Sequence, residues 1–114
     1  MSNFLSERLN SLNIYKNSKQ TNLANYKPYV ITDNLVFISG QLPLKNESLL
    51  YNGKIGKTIN EIETKESIKM ATYNLLWTLS DAIDEYKKVK KTRCVNLKGY
   101  FNCIKNFEDH SILF

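Results

Sequence analysis

The chain has 114 residues, 42% hydrophobic and 24% charged, with 16 basic residues against 11 acidic ones for a formal charge of +5. That length suits one compact domain able to bury roughly 65% of its unfolded surface, so a core is feasible without disulfide or metal staples. No apolar run approaches the ~20 residues that cross a bilayer, and residues 1–10, with Glu7 and Arg8 among scattered Leu and Phe, lack the apolar centre of a secretory signal; the membrane class is excluded and the cytoplasm is the expected location.

At the start of the chain, Phe4, Leu5, Arg8, Leu9 and Leu12 recur at helical spacing with Ser2 or Asn3 placed to cap, which predicts a short helix that must dock on something to persist. From Tyr15 to Asn25 the chain is polar and reads as a connector. Pro28 then leads into the β-branched run Tyr29, Val30, Ile31, Thr32, and a second strand starts at Leu35 and runs to Ser39. The Asp33 and Asn34 between them tolerate the left-handed conformation of a two-residue turn, so the two runs predict an antiparallel hairpin. Beyond Pro43 a looser section from Lys45 to Asn52 precedes Gly53, and residues 54–59 predict a third, short strand.

A long helix is predicted from about Glu63 to Tyr86, because Ile68, Ala71, Thr72, Leu75, Leu79, Ala82, Ile83 and Tyr86 repeat as one apolar stripe facing the core. Asn60 followed three residues later by Glu63 predicts a capping arrangement at its start. Met70, Tyr73 and Trp77 fall on the opposite face, where packing under the N-terminal helix or a subunit neighbour is the expected use. From Thr92 onward, Cys94, Val95, Asn96, Leu97, Lys98, Gly99, Tyr100 and Phe101 have β character. A glycine inside such a run marks a bulge or a close backbone approach. The last residues, from Phe107 to Phe114, leave room for the beginning of another helix.

Cys94 and Cys103 lie nine apart on that strand and its exit, so alternation points them to opposite faces and both are expected as buried, reduced thiols. There is no CxxC, and His110 is the single histidine, so no metal site is expected. Five basic residues gather in Lys87, Lys88, Lys90, Lys91 and Arg93, where the long helix ends and cations offset its dipole. The cluster offers one arginine and no interleaved aromatic, so nucleic acid is the weaker reading for it.

The candidate site is the stretch from Leu35 to Pro43, an apolar strand that runs into the small polar bend Ser39, Gly40, Gln41 and stops at a proline. No GxGxxG or GxxxxGK[ST] is present, and a Ser, His, Asp triad would have to use His110. Taken in order, several features spread over roughly Leu23 to Phe107 resemble the RidA/YjgF family, the reactive intermediate or imine deaminases, also called endoribonuclease L-PSP-like proteins. They are Ala24, Asn25, Tyr26 and Pro28, the Ser39, Gly40, Gln41 strand end, Gly53, Lys54, Ile55, Gly56, Asn74 in the long helix, Gly99 and Asn102 in the later strand, and Phe107.

The resemblance implies an α+β fold, a chorismate-mutase-like mixed β-sheet with the long helix packed on one face. Against the family pattern the chain is expected to be C-terminally truncated, with the second helix and last strands missing. Residues 1–22 then form an N-terminal helix and connector, and residues 23–114 a partial domain. The resemblance further implies a homotrimer, with Tyr26, Ser39, Gly40 and Gln41 lining a ligand cleft between subunits for a small carboxylate-bearing metabolite. The implied reaction is hydrolysis of reactive enamines or imines to keto acid and ammonia, without a cofactor. Active members hold the carboxylate with an arginine and position water with a glutamate. Arg8 and Arg93 match neither role, so no catalytic residue is carried over. The alternatives are a non-catalytic metabolite-binding or scaffold protein and an RNA-binding or endoribonuclease-like protein.

Overall fold

Local capping chemistry starts both major helices. In the computed structural model, which describes residues 2–17, 27–86 and 89–114, helix α1 (Phe4–Ser11) begins where the Asn3 side chain accepts the backbone N–H groups of Leu5 and Ser6 while Ser6 Oγ accepts that of Asn3. Helix α2 (Glu61–Tyr86) begins the same way. Asn60 Oδ1 accepts the Glu63 N–H at 2.8 Å and Glu63 Oε1 accepts the Asn60 N–H at 3.1 Å, as the spacing predicts.

Helix α1 persists because it docks on α2. Asn3 Nδ2 donates to the Ser80 carbonyl at 3.1 Å and to Asp84 Oδ1 at 2.7 Å, and Leu9 is buried against the neighbouring helix. Trp77, predicted on the far face of the long helix, is buried too, its indole N–H donating to the Ile14 carbonyl at 3.1 Å. The C-terminal half of α2 is therefore covered from two sides, by α1 and by the first hairpin. The predicted stripe holds as a core only at Ala82 and Ile83; Ile68, Ala71, Leu75 and Leu79 are half-buried, and Thr72 and Tyr86 are exposed.

Strands β1 (Tyr29–Thr32) and β2 (Leu35–Ile38) pair antiparallel with Thr32 opposite Leu35, leaving Asp33 and Asn34 as the turn, Asp33 at φ 53°. Alternation turns Tyr29, Ile31, Val36 and Ile38 toward α2 and leaves Val30, Leu35 and Phe37 on the outer face, Phe37 60% exposed. A second hairpin, β3 (Leu44–Lys45) and β4 (Ser48–Leu49), occupies the section read as loose, turning through Asn46 at φ 50° and Glu47 at φ 76°. The strand predicted over residues 54–59 is instead a tight turn. The Lys54 carbonyl accepts the N–H groups of Lys57, Thr58 and Ile59, and Gly56 takes the left-handed φ of 86° that this turn requires.

After α2, residues 92–101 form no regular secondary structure and have no strand partner among the described residues, so their β-type sequence is not used in a ladder. Ile55 then bridges to Cys103, and helix α3 (His110–Leu113) follows. Gly99 proves to be a close approach: a Cβ there would stand 2.4 Å from the Phe114 ring. Both cysteines are free, as expected, but neither is buried, Cys94 being exposed and Cys103 half-buried.

Two expectations are corrected here. The chain is α+β, but its strands make two separate two-stranded antiparallel sheets and not one mixed sheet, because each pairs through a two-residue turn with its neighbour in sequence. Nor does the chain stop at one major helix and its sheet, as the expected truncation implies: among the described residues the segment after α2 bridges back to Ile55 and packs a further helix, α3, on α2. The molecule is looser than a single compact unit of this length, with a radius of gyration of 15.2 Å where ~13 Å is usual. Its accessible surface is 8827 Å² against roughly 6,500 Å² for a compact monomer of this mass.

Candidate functional site

The bend after β2 is held by the start of β1. The Ser39 N–H donates to the Pro28 carbonyl at 2.9 Å and the Ser39 hydroxyl to the Lys27 carbonyl, so this side chain extends the hairpin by one more link. Gln41 Nε2 donates back to the Ser39 carbonyl at 3.1 Å, folding the bend on itself, and the space where a Gly40 side chain would stand is open. Ser39, Gly40 and Gln41 are thus brought together. Tyr26 lies outside the described residues.

The residues that Ser39 grips also line a groove of about 440 Å³, formed by Lys27, Pro28, Tyr29, Val30, Ile31 and, from the last turn of α2, Glu85. That is a volume for a small metabolite. Inside it the Tyr29 hydroxyl is hydrogen-bonded to Glu85, which together with partial burial and the nearby charges of Glu85, Asp81 and Asp84 pushes the phenol up to about 12. Tyr29 is therefore a neutral donor throughout the physiological range. The lining of the groove brings together a lysine and a carboxylate with a bound phenol, a pairing suited to a ligand carrying both an anionic and a cationic group. The last turn of α2 carries no basic residue; Lys90, Lys91 and Arg93 lie exposed beyond it, and Lys87 and Lys88 are outside the described residues.

Asn74 anchors the chain just past the bend. It is buried, and its Nδ2 donates to the carbonyls of Leu42 at 3.2 Å and Leu44 at 2.9 Å, while its Oδ1 accepts Asn17 Nδ2 at 2.7 Å. Asn102 Nδ2 donates to the Gly53 carbonyl at 3.2 Å, so both of these asparagines hold backbone in place. Glu85 and Lys27 were not singled out by sequence, since a helix-end glutamate and a pre-proline lysine carry no motif. The one available signal for Glu85 was its place among Asp81 and Asp84, an acidic group where a helix end usually prefers cations. Among the described residues no group of three or more His, Cys, Asp or Glu is gathered to hold a metal, and no helix is long and apolar enough to cross a membrane.

Comparison with known proteins places this geometry. Residues 7–112 match the family model described as "YjgF/chorismate_mutase-like, putative endoribonuclease", a match that runs through both hairpins, α2 and the segment after it. Among solved structures the chain is similar to one described as "a putative endoribonuclease" from Shewanella oneidensis, at 29% identity and a TM-score of 0.65, over 78% of this chain and 59% of that one. It is also similar to the protein Atu1372, of unknown function, from Agrobacterium tumefaciens, at 25% identity and a TM-score of 0.55, over 73% of this chain and 48% of that one. The chain thus spans about half to three fifths of the length of these structures. Among curated proteins none matches.

Proposed function

We propose a function from one premise: the chain belongs to the YjgF/chorismate mutase-like family. It binds a small carboxylate-bearing metabolite of the enamine or imine class and hydrolyses it to keto acid and ammonia. The supporting observation is the groove whose wall Ser39 secures, with Lys27 and Glu85 in its lining. Lys27 is the counter-charge for the carboxylate, and Glu85, held by the neutral Tyr29 phenol that donates to it, faces the cationic imine nitrogen. Ser39, Gly40 and Gln41, with Tyr26 by family resemblance, form the rest of the ligand-facing wall. No cofactor takes part, since water adds directly to the C=N carbon.

The working unit is a homotrimer. Support comes from the outer face of the first hairpin, where Val30, Leu35 and Phe37 lie exposed together, and from the excess of accessible surface. A second reading, metabolite binding without turnover, is favoured by the placement of the chain's two arginines: Arg8 is exposed on α1 and Arg93 is exposed beyond α2, and neither lines the groove.

The test is a threonine dehydratase reaction supplemented with the purified chain, following decay of the released enamine. Faster decay that is lost in Lys27→Met and Glu85→Gln supports hydrolysis at this groove. Unchanged decay with 2-ketobutyrate shifting the NMR signals of Lys27 and Tyr29 supports binding alone. Unchanged decay with no shift at those residues rejects both.

A further inference from the structure

We propose that Cys103 and His110 form a nucleophilic thiol site for small carbon electrophiles of the α,β-unsaturated carbonyl class. The two residues stand apart from the groove, and His110 is the chain's single histidine. Cys103 Sγ lies 3.5 Å from His110 Nε2. The imidazole is fixed by two edge-on rings, Phe107 at a centroid distance of 4.9 Å and Phe101 at 5.5 Å. Phe101 in turn meets Phe114 edge-on at 6.2 Å, and Phe114 is seated on Gly99.

Backbone fixes the sulfur as well. The Ile55 N–H donates to the Asn102 carbonyl at 2.9 Å and the Ile104 N–H to the Ile55 carbonyl at 3.0 Å, clamping both neighbours of Cys103. A nucleophile within reach of a base, with the base oriented by further groups, is the arrangement that activates weak side-chain nucleophiles. For a cysteine the reactive form is the thiolate, and His110 Nε2 is the base within reach of the Cys103 thiol.

The chemistry balances without an oxidant or a leaving group. The thiol proton passes to His110 Nε2 and the sulfur electron pair bonds to the β-carbon of the electrophile. The C=C π pair shifts to give an enolate, whose α-carbon then takes the proton back from the imidazolium. The product is a thioether adduct on Cys103.

Cys94 supplies an internal reference, because it is exposed while Cys103 is half-buried. Exposure alone ranks Cys94 as the faster thiol; a proton acceptor on Cys103 reverses the order. The experiment treats the native chain at pH 7 with limiting N-ethylmaleimide and reads each cysteine by peptide mass spectrometry. The expected result is modification of Cys103 about fivefold faster than Cys94 in the folded chain, with equal rates in urea.

His110→Gln and His110→Phe separate proton transfer from packing, since the second keeps an aromatic ring among Phe101 and Phe107 but has no nitrogen. Both variants are expected to drop Cys103 below Cys94 while the Cys94 rate stays constant. His110 is exposed, so its replacement does not slow Cys103 by new shielding. Faster reaction at Cys94 in the native chain, or an undiminished Cys103 rate in both variants, overturns the proposal.

Discussion

Single polar residues carry much of what holds the site. Asn74 is the clearest case: a buried amide that satisfies two carbonyls of the segment after the Ser39–Gly40–Gln41 bend and is itself tied to Asn17. Asn74→Ala leaves those groups without their partner and is expected to cost about 2–3 kcal/mol, read as a lower denaturant midpoint with an unchanged slope. Tyr29 gives a second test. Its folded pKa of about 12 lies above the ordinary 10.0, so the neutral phenol is the form that folding favours. Its contribution is complete below pH 10.0 and is lost as pH rises toward about 12, so stability is expected to fall across that window and the fall to shrink in Tyr29→Phe. Sequence announced Ser39, Gly40 and Gln41 through the bend itself. It gave no sign that the Ser39 hydroxyl would be spent on the Lys27 carbonyl, because that contact depends on how far the hairpin ladder extends.

At the level of elements, short-range signals were legible and long-range ones were not. The reciprocal cap at Asn60, the cap at Asn3, one of the two residues placed for it, and the turn at Asp33 depend on a few adjacent residues. The second hairpin is not legible in sequence because its turn uses Glu47 at φ 76°, a side chain with no preference for that conformation. Glu47→Gly removes the left-handed penalty, and after the entropy cost of glycine a net gain of about 0.5 kcal/mol is expected. For a chain of this size that is a rise in Tm of roughly 2–4 °C, measured by thermal melting. The opposite holds for residues 92–101, where Val95 and Leu97 have strand character but no neighbouring strand lies beside them among the described residues. Strand propensity describes a surface that fits a sheet, and the partner must come from elsewhere in the fold.

The whole molecule exposes more than a monomer of 114 residues needs to. Val30, Leu35 and Phe37 share the outer face of one hairpin, and Val95, Leu97 and Tyr100 stand out along the segment after α2, Tyr100 at 89% exposure. Exposed apolar surface of this kind is what the proposed homotrimer would cover. The proposed metabolite site depends on that reading, since the groove beside Lys27, Tyr29 and Glu85 opens at the same hairpin whose outer face is uncovered. The most direct measurement is the solution mass of the purified chain by sedimentation equilibrium, with Phe37→Asp as the interface variant. Three times the 13.3 kDa chain mass, falling to the single chain in the variant, is the predicted result; a wild-type chain that stays monomeric across the concentration range contradicts the account.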